Sequence, residues 1–289
     1  MNRLALLGRS ALQDSSVRAD VSPSGAAAPA YAASEEQKAG ILIINADDWG
    51  LNCGATNRTL ECLRRKAVSS VSAMVFMEDS ERGAQLALED GIDAGLHLNL
   101  TTRFSGVGVP DALMRHHERI AGYLTRHKLA QALFHPRLHR SFQYVVAAQL
   151  DEFRRLYQKE PDRVDGHHHM HLCANVLLAK LLPKGTIARR SFSFRPGQKS
   201  LFNRLYRRGI DTMLASRHRL TDFFFSLPPF DPPSRLEQIF SLACRCVVEV
   251  ETHPVNLDEY RFLSGGEVFA WTGAIPVAPR FIVPSVSYS

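Results

Sequence analysis

The sequence predicts an α/β protein, a (β/α) barrel preceded by an N-terminal extension, and three observations carry that expectation. A continuous apolar run, Ile41-Leu42-Ile43-Ile44, suits a strand buried on both faces of a parallel sheet. Strand-like and helix-like segments then alternate along the chain, as connections between parallel strands require. Polar patches also recur where predicted strands stop, at Asp47/Asp48, His97, His167 and His253. A barrel of this kind collects its active-site residues at those strand ends.

Each element has its own warrant. Residues 1–39 are rich in Ala and Ser, poor in large apolar residues and without periodicity, which predicts a disordered extension. Residues 40–289 form the barrel domain, a length one such domain can fill. After the first strand, Leu60, Leu63 and Ala67 recur at helical spacing with Asn52 as N-cap. Val71, Ala73 and Val75 alternate as a second strand. Ser80 is the expected cap of a helix over 81–89, which Gly91 ends. A third strand, about 93–101, places His97, Asn99 and Thr101 on one face and Leu96, Leu98 and Leu100 on the other. A helical region over 111–159 is expected to break at Pro136 and close at Pro161. Residues 164–168 form a short strand running into a histidine cluster, and 174–182 a helix. Between 183 and 233 no pattern is decisive. Residues 246–251 are the last clear strand, ending at Thr252-His253-Pro254.

Composition narrows the function. With 45% hydrophobic and 22% charged residues the chain can bury a sizeable core. No stretch approaches the roughly 20 apolar residues of a membrane span. The Leu/Ala run before Arg9 is too short for a secretory leader. Five cysteines, odd in number and not in paired metal spacing, predict reduced thiols and a cytoplasmic protein. The net charge of +6 owes much to residues 189–208, with seven basic and no acidic residues and interleaved Phe192, Phe194, Phe202 and Tyr206. That segment reads as an amphipathic element with a solvated basic face, so no nucleic-acid partner is expected. A glycine-rich phosphate loop and a G-x-S-x-G elbow are both absent from the sequence.

The chemistry-bearing motif is Asp165-Gly166-His167-His168-His169-Met170-His171, in a chain with only 12 histidines. With Asn45-Ala46-Asp47-Asp48-Trp49-Gly50 and Gly95-Leu96-His97-Leu98-Asn99-Leu100-Thr101 it supplies the carboxylates and imidazoles of a divalent-metal site. Two adjacent buried carboxylates need a metal or hydrogen bonds to offset their desolvation. One Asp is expected on the metal and the other as general base. Alternation puts His167, His169 and His171 on one face and His168 on the other. His167 is the expected ligand with His169 its competitor, and His169 or His171 then orients substrate or supports a ligand. His253 shares a face with Glu249 and Glu251, which suits a general acid or an oxyanion stabiliser.

These patches resemble the YdjC-like carbohydrate deacetylases, the group that includes chito-oligosaccharide deacetylases. The match lies in residues 45–51, 95–101, 165–171 and 249–254, and weaker similarity extends it over most of 40–265. The resemblance implies a barrel holding one divalent metal through Asp48, His97 and His167, with Asp47 as catalytic acid/base and His253 at the family's His-Pro position. Asn99, His169, His171 and Glu249 remain candidates for substrate or supporting contacts. The implied activity is removal of acetyl from N-acetylated sugars. Magnesium is the metal the family implies, whereas two His and one Asp suit zinc. Trp49 stands where relatives have Phe, and Ala67 where they often end a helix with Gly. Neither the basic stretch from Arg189 nor the chain after Gly265 is family-like. The rival readings are the same chemistry on a glycosylated lipid such as an N-acetylglucosaminyl hopanoid, a non-catalytic metal-binding barrel, a nucleic-acid-binding barrel, and metal-free glycosidic cleavage by a carboxylate pair. A homo-oligomer is left open.

Overall fold

The computed structural model describes residues 40–126, 129–194, 197–273 and 275–284. The expected disordered extension, residues 1–39, lies outside the described residues. In chain order the strands and α-helices are β1 (Ile41–Trp49), α1 (Cys53–Arg64), β2 (Ser70–Ala73), α2 (Ser80–Glu89), β3 (Ala94–Leu98), α3 (Asp111–Leu124), α4 (His139–Tyr157), β4 (Arg163–Gly166), α5 (Ala174–Leu178), β5 (Ile187–Ala188), α6 (Leu201–Ala215), β6 (Phe223–Ser226), α7 (Ser234–Leu242), β7 (Val247–Thr252), α8 (Leu257–Ser264) and α9 (Glu267–Thr272). The strands form one sheet in the order β5-β4-β3-β2-β1-β7-β6, and every pair is parallel.

The sheet curls into the expected (β/α) barrel, and its two edges approach each other. Ile187 of β5 bridges Arg219 in parallel, and the Ser193 amide donates to the Phe224 carbonyl at 2.9 Å. The barrel interior is layered. At the N-terminal end of the strands, Ile43 and Val247 pack on Ala278 of the C-terminal tail as an apolar floor. That tail is held by the Ala278 amide donating to the Leu42 carbonyl and by the Phe281 amide donating to Asp93. Above the floor the inward residues are polar: Asn45, Asp47, Ser70, Ser72, Asp165, Glu249 and Glu251 are all buried. The outward residues of the same strands, among them Leu42, Ile44, Val71, Leu96, Leu98, Val248 and Val250, make the main core with the helices. Gly95 is required here, because a Cβ on it would come within 2.3 Å of the Arg163 side chain that crosses it.

Several local expectations change. Asn52 caps α1, accepting from the Ala55 amide at 2.9 Å. Ser80 does not cap α2 but lies inside it, with its hydroxyl accepting from the Met77 amide and donating to the Met74 carbonyl. β3 stops at Leu98, so Asn99 and Thr101 belong to the following loop rather than to a strand face. The helical region over 111–159 is two helices packed on each other, α3 ending at Leu124 and α4 starting at His139, with short 3-10 turns between them. Pro136 sits in the first turn of one of these, where its missing N–H costs nothing. The strand before the histidines ends at Gly166. Among the described residues no helix is long and apolar enough to cross a membrane, and the five cysteines are free.

The end of α1 answers the Ala67 departure. Lys66, one residue earlier, takes the left-handed conformation at φ 61°, with the Lys66 and Ala67 amides donating to the Leu63 and Cys62 carbonyls. These are the two bonds of a Schellman cap, formed on a side chain that strains it. Lys66→Gly is therefore expected to stabilise the fold by about 1 kcal/mol, read as a raised midpoint in urea unfolding; an unchanged midpoint would show that the strain is absent.

Candidate metal centre

Two consecutive residues of a regular strand point to opposite faces. Asp47 and Asp48 nonetheless reach one place, because the pairing of β1 with β2 slips between Ala46 and Trp49 and Asp48 takes φ 64°. Asp47 Oδ2 lies 4.0 Å from His97 Nδ1, and Asp48 Oδ1 lies 3.4 Å from His97 Nε2. The same irregularity drives Trp49 into the core, where its Nε1 donates to the Gly83 carbonyl at 3.0 Å.

His97 on β3 is paired directly with Asp165 on β4. Its Nδ1–H donates to Asp165 Oδ1 at 2.8 Å, which fixes the ring and aims Nε2 at Asp48. Nε2 is buried with no hydrogen-bond partner. A carboxylate behind a histidine with the far nitrogen free is how metal-binding imidazoles are held. His167 follows β4 and its Nδ1 lies 2.9 Å from Asp48 Oδ1. The ligand atoms of Asp48, His97 and His167 lie within 4.8 Å of one another. Donors around one ion, with bonds of about 2.1 Å, stand roughly 3.0–3.4 Å apart, so the spacing fits a divalent cation. Asp47, His97 and Asp165 are as close, but their facing atoms are already taken by each other and by Arg189.

Burial alone would raise the Asp48 pKa; the hydrogen bond from His167 and the facing His97 imidazole outweigh it and hold its carboxyl well below the usual range. For His97, burial disfavours the imidazolium, yet the carboxylates of Asp47 and Asp165 push it well above an ordinary histidine. A proton or a metal ion on Nε2 answers the same surplus of negative charge.

Arg189, just past β5, is fully buried beneath this group. Its Nη1 and Nη2 donate to the two oxygens of Asp47 at 2.6 and 2.7 Å, and Nε donates to Glu249 at 2.6 Å. Asp165 lies 2.8 Å from Nη2 and Glu251 3.3 Å from Nη1. The guanidinium also sits 5.0 Å over the Phe224 ring. One cation thus faces four carboxylates. Burial pushes Glu249 up to about 7 despite Arg189, and lifts Glu251 well above the carboxylate range with Asp47 repelling it. Asp165 stays well below that range, since Arg189 and His97 outweigh its burial.

The structure therefore brings together Asp47, Asp48, His97 and His167. His253 joins them from the end of β7: its Nε2 is 3.9 Å from Asp47 Oδ2, while its amide donates to Glu259 at 2.8 Å. Other expectations are corrected. Glu249 and Glu251 face Arg189 inside the barrel instead of flanking the His253 ring, because β7 ends at Thr252 and the alternation stops there. The histidine run is a 3-10 turn in which His168 and His169 have φ 53° and 57°, so strand alternation does not sort it. His168 lies against Thr101 Oγ1 at 3.0 Å and packs its ring, tilted by 34°, on that of His167. His169 packs edge-on against Phe192, with Nε2 3.7 Å from Glu251. His171 is buried, its Nε2–H donating to the Arg189 carbonyl at 2.9 Å, and burial lowers it to about 4. Asn99 shapes its own loop, accepting from the Thr101 and Thr102 amides. Arg189 is no part of a solvated basic face. Its signal was faint, a cation just past a strand too short to show periodicity, whereas Asp165, quoted within the histidine motif, had been given no role of its own.

A family profile described as YdjC-like protein matches residues 41–259, a span that includes every residue of this centre. A chitooligosaccharide deacetylase of Serratia marcescens is 32% identical over 133 residues, covering 46% of this chain and 51% of that protein. One from Proteus mirabilis is 33% identical over 133 residues, 46% of this chain and 50% of the relative. The chain spans about half the length of these curated relatives. In fold it is similar to the crystal structure of a candidate cellobiose-phosphate cleavage protein of Enterococcus faecalis, with a TM-score of 0.58 and 16% identity over 84% of this chain and 98% of that one.

Two predictions follow from the charge arrangement. Arg189→Met leaves four carboxylates without their cation and is expected to cost more than about 3 kcal/mol in chemical unfolding; a loss under 1 kcal/mol would show that the cluster does not depend on it. Glu249 holds its proton more tightly folded, at about 7, than unfolded, at 4.5. Its contribution is therefore full below the unfolded value and is lost as pH rises through the window between them, by on the order of 2–3 kcal/mol. In Glu249→Gln, the stability difference from the parent should swing in the mutant's favour by that amount from pH 4.5 to 7. A difference that stays flat with pH means that Glu249 is ionised in the fold.

Proposed function

This chain belongs to the YdjC-like protein family, and on that premise we propose that it is a metal-dependent hydrolase removing the acetyl group from an N-acetylated sugar of the chito-oligosaccharide type. The observation that carries the reading is the buried, unpartnered Nε2 of His97, held by Asp165 and converging with Asp48 and His167 beside a second, separately anchored carboxylate, Asp47. Asp48, His97 and His167 would hold the ion. When bound, a divalent metal polarises an acetamide carbonyl and makes a nearby water more acidic.

The remaining work falls to the chain's own side chains. Asp47 is fixed by Arg189 and by the Asn45 side-chain amide, which donates to Oδ1 at 2.9 Å. That leaves Asp47 one orientation in which to receive the proton of the attacking water at Oδ2. The new C–O bond forms as that proton leaves the water. Breaking of the C–N bond then needs a proton on the departing nitrogen. His253 Nε2, 3.9 Å from Asp47 Oδ2 and partly open to solvent, is placed to give it. Acetate and the free amino sugar are the products. His168, which packs on His167 and meets Thr101, and His169, against Phe192, are candidates for contacts to the sugar.

Acetate release from acetylated chito-oligosaccharides is expected to stop on chelation and to return with added metal, zinc and magnesium compared side by side. Asp47→Asn should lower kcat by about 100- to 10,000-fold while metal binding persists, whereas His97→Ala should lose both. Full turnover by the chelated protein would overturn the metal assignment, and unchanged turnover in Asp47→Asn would overturn that of the base.

A further inference from the structure

We propose that α6 and the turn before it form a docking surface for an anionic lipid bilayer. Of the large apolar side chains on α6, five face solvent: Leu201 at 66%, Phe202 at 81%, Leu205 at 56%, Tyr206 at 43% and Met213 at 40%. At 100° per residue they fall, with Gly209, inside an arc of roughly 140°. The opposite face anchors the helix. Leu214 is buried with Leu177 and Ala188, and Asp211 binds inward to Arg190 and Ser191. The apolar arc therefore belongs to a helix already docked by its other side, and among the described residues nothing covers it.

The charges around the arc select the occupant. Arg204 and Arg208 border it and Lys199 precedes it, with no carboxylate partner for any of them among the described residues. Residues 189–208 contain no acidic residue, and the one acid of α6, Asp211, is turned inward. Leu, Phe and Tyr in an arc edged by Lys and Arg is the pattern of a helix lying in the plane of a membrane interface, with apolar side chains in the acyl boundary and cations among anionic headgroups. A second copy meeting arc to arc would set Arg204, Arg208 and Lys199 against their own counterparts. A nucleic acid would use the cations and leave Leu201, Leu205 and Met213 exposed, since base stacking needs aromatic faces.

This inference does not depend on the proposed activity, and its test needs no turnover. The full chain is mixed with vesicles of phosphatidylcholine alone or with phosphatidylserine, and bound protein is separated by flotation. Binding is expected with phosphatidylserine, weakened by salt, and at least tenfold weaker in Phe202→Asp/Leu205→Asp and in Arg204→Gln/Arg208→Gln. Far-ultraviolet circular dichroism and thermal melting check that these exposed substitutions leave the fold intact. Absence of binding to phosphatidylserine vesicles, or binding that both double variants retain, overturns the proposal. So does sedimentation showing a dimer of the protein alone that Phe202→Asp/Leu205→Asp dissociates. Tighter binding of single-stranded RNA than of vesicles, lost in Arg204→Gln/Arg208→Gln, overturns it in favour of a nucleic acid.

Discussion

The upper half of this barrel depends on one buried guanidinium. Asp47, Asp165, Glu249 and Glu251 come from three strands, and the cation that joins them, Arg189, comes from the end of a fourth. A buried carboxylate is tolerated only when hydrogen-bonded and offset in charge, and four around one cation exceed what that cation can neutralise. The surplus is resolved unevenly. Asp47, Glu249 and Asp165 take the contacts of 2.6 to 2.8 Å and Glu251 the longer one of 3.3 Å, while burial shifts both glutamates toward the protonated form. His171 supports the arrangement from behind through the Arg189 carbonyl. Arg189 also has a fork that Lys lacks, three nitrogens in fixed directions matching three strands.

The position of Arg189 explains why the two aspartates differ. Asp47 is bound on both oxygens from below and can turn only its outer edge to the mouth. Among the described residues Asp48 meets no guanidinium and faces imidazoles. A cation is thus supplied to one by the protein, and the other is left facing nitrogen lone pairs. In the same way Asp165 serves His97 on one oxygen and Ser72 and Arg189 on the other, tying the imidazole tautomer to the central cluster. The apolar floor of Ile43, Val247 and Ala278 packs beneath the cluster at the other end of the strands.

Much of this was legible in the sequence, and what was not has a physical cause. The Ile41–Ile44 run marks a parallel strand because β1 is buried on both sides, and the polar patches mark the strand ends because the residues that converge there are carboxylates and imidazoles. Asn52 was readable because capping is local. Period-2 reasoning failed at His168 and His169 and at His253, where the chain had already left its strand; no residue pattern announces a left-handed turn built from histidines. Arg189 was hidden by its neighbours. A run of cations looks solvated, and burial of its first member is decided by carboxylates more than 20 residues away in sequence.

Of the seven left-handed non-glycine residues among the described residues, three sit with the functional side chains. Asp48, His168 and His169 all occupy the left-handed region, a conformation costing side-chain-bearing residues about 1–2 kcal/mol each. Such a cost persists only when surrounding contacts over-determine the conformation. For Asp48 those contacts are the slipped pairing of β1, the burial of Trp49 beyond it and the hydrogen bond to His167. For the histidines they are the Thr101 contact, the Phe192 ring and the burial of His171 next in line. A regular continuation of either segment would relieve the strain. It would also return Asp48 to the opposite face of β1 and carry the histidines away from His97. The strained turns and the convergence of Asp48, His97 and His167 are therefore one structural fact, and that convergence is the part of the fold that local stability alone would not have produced.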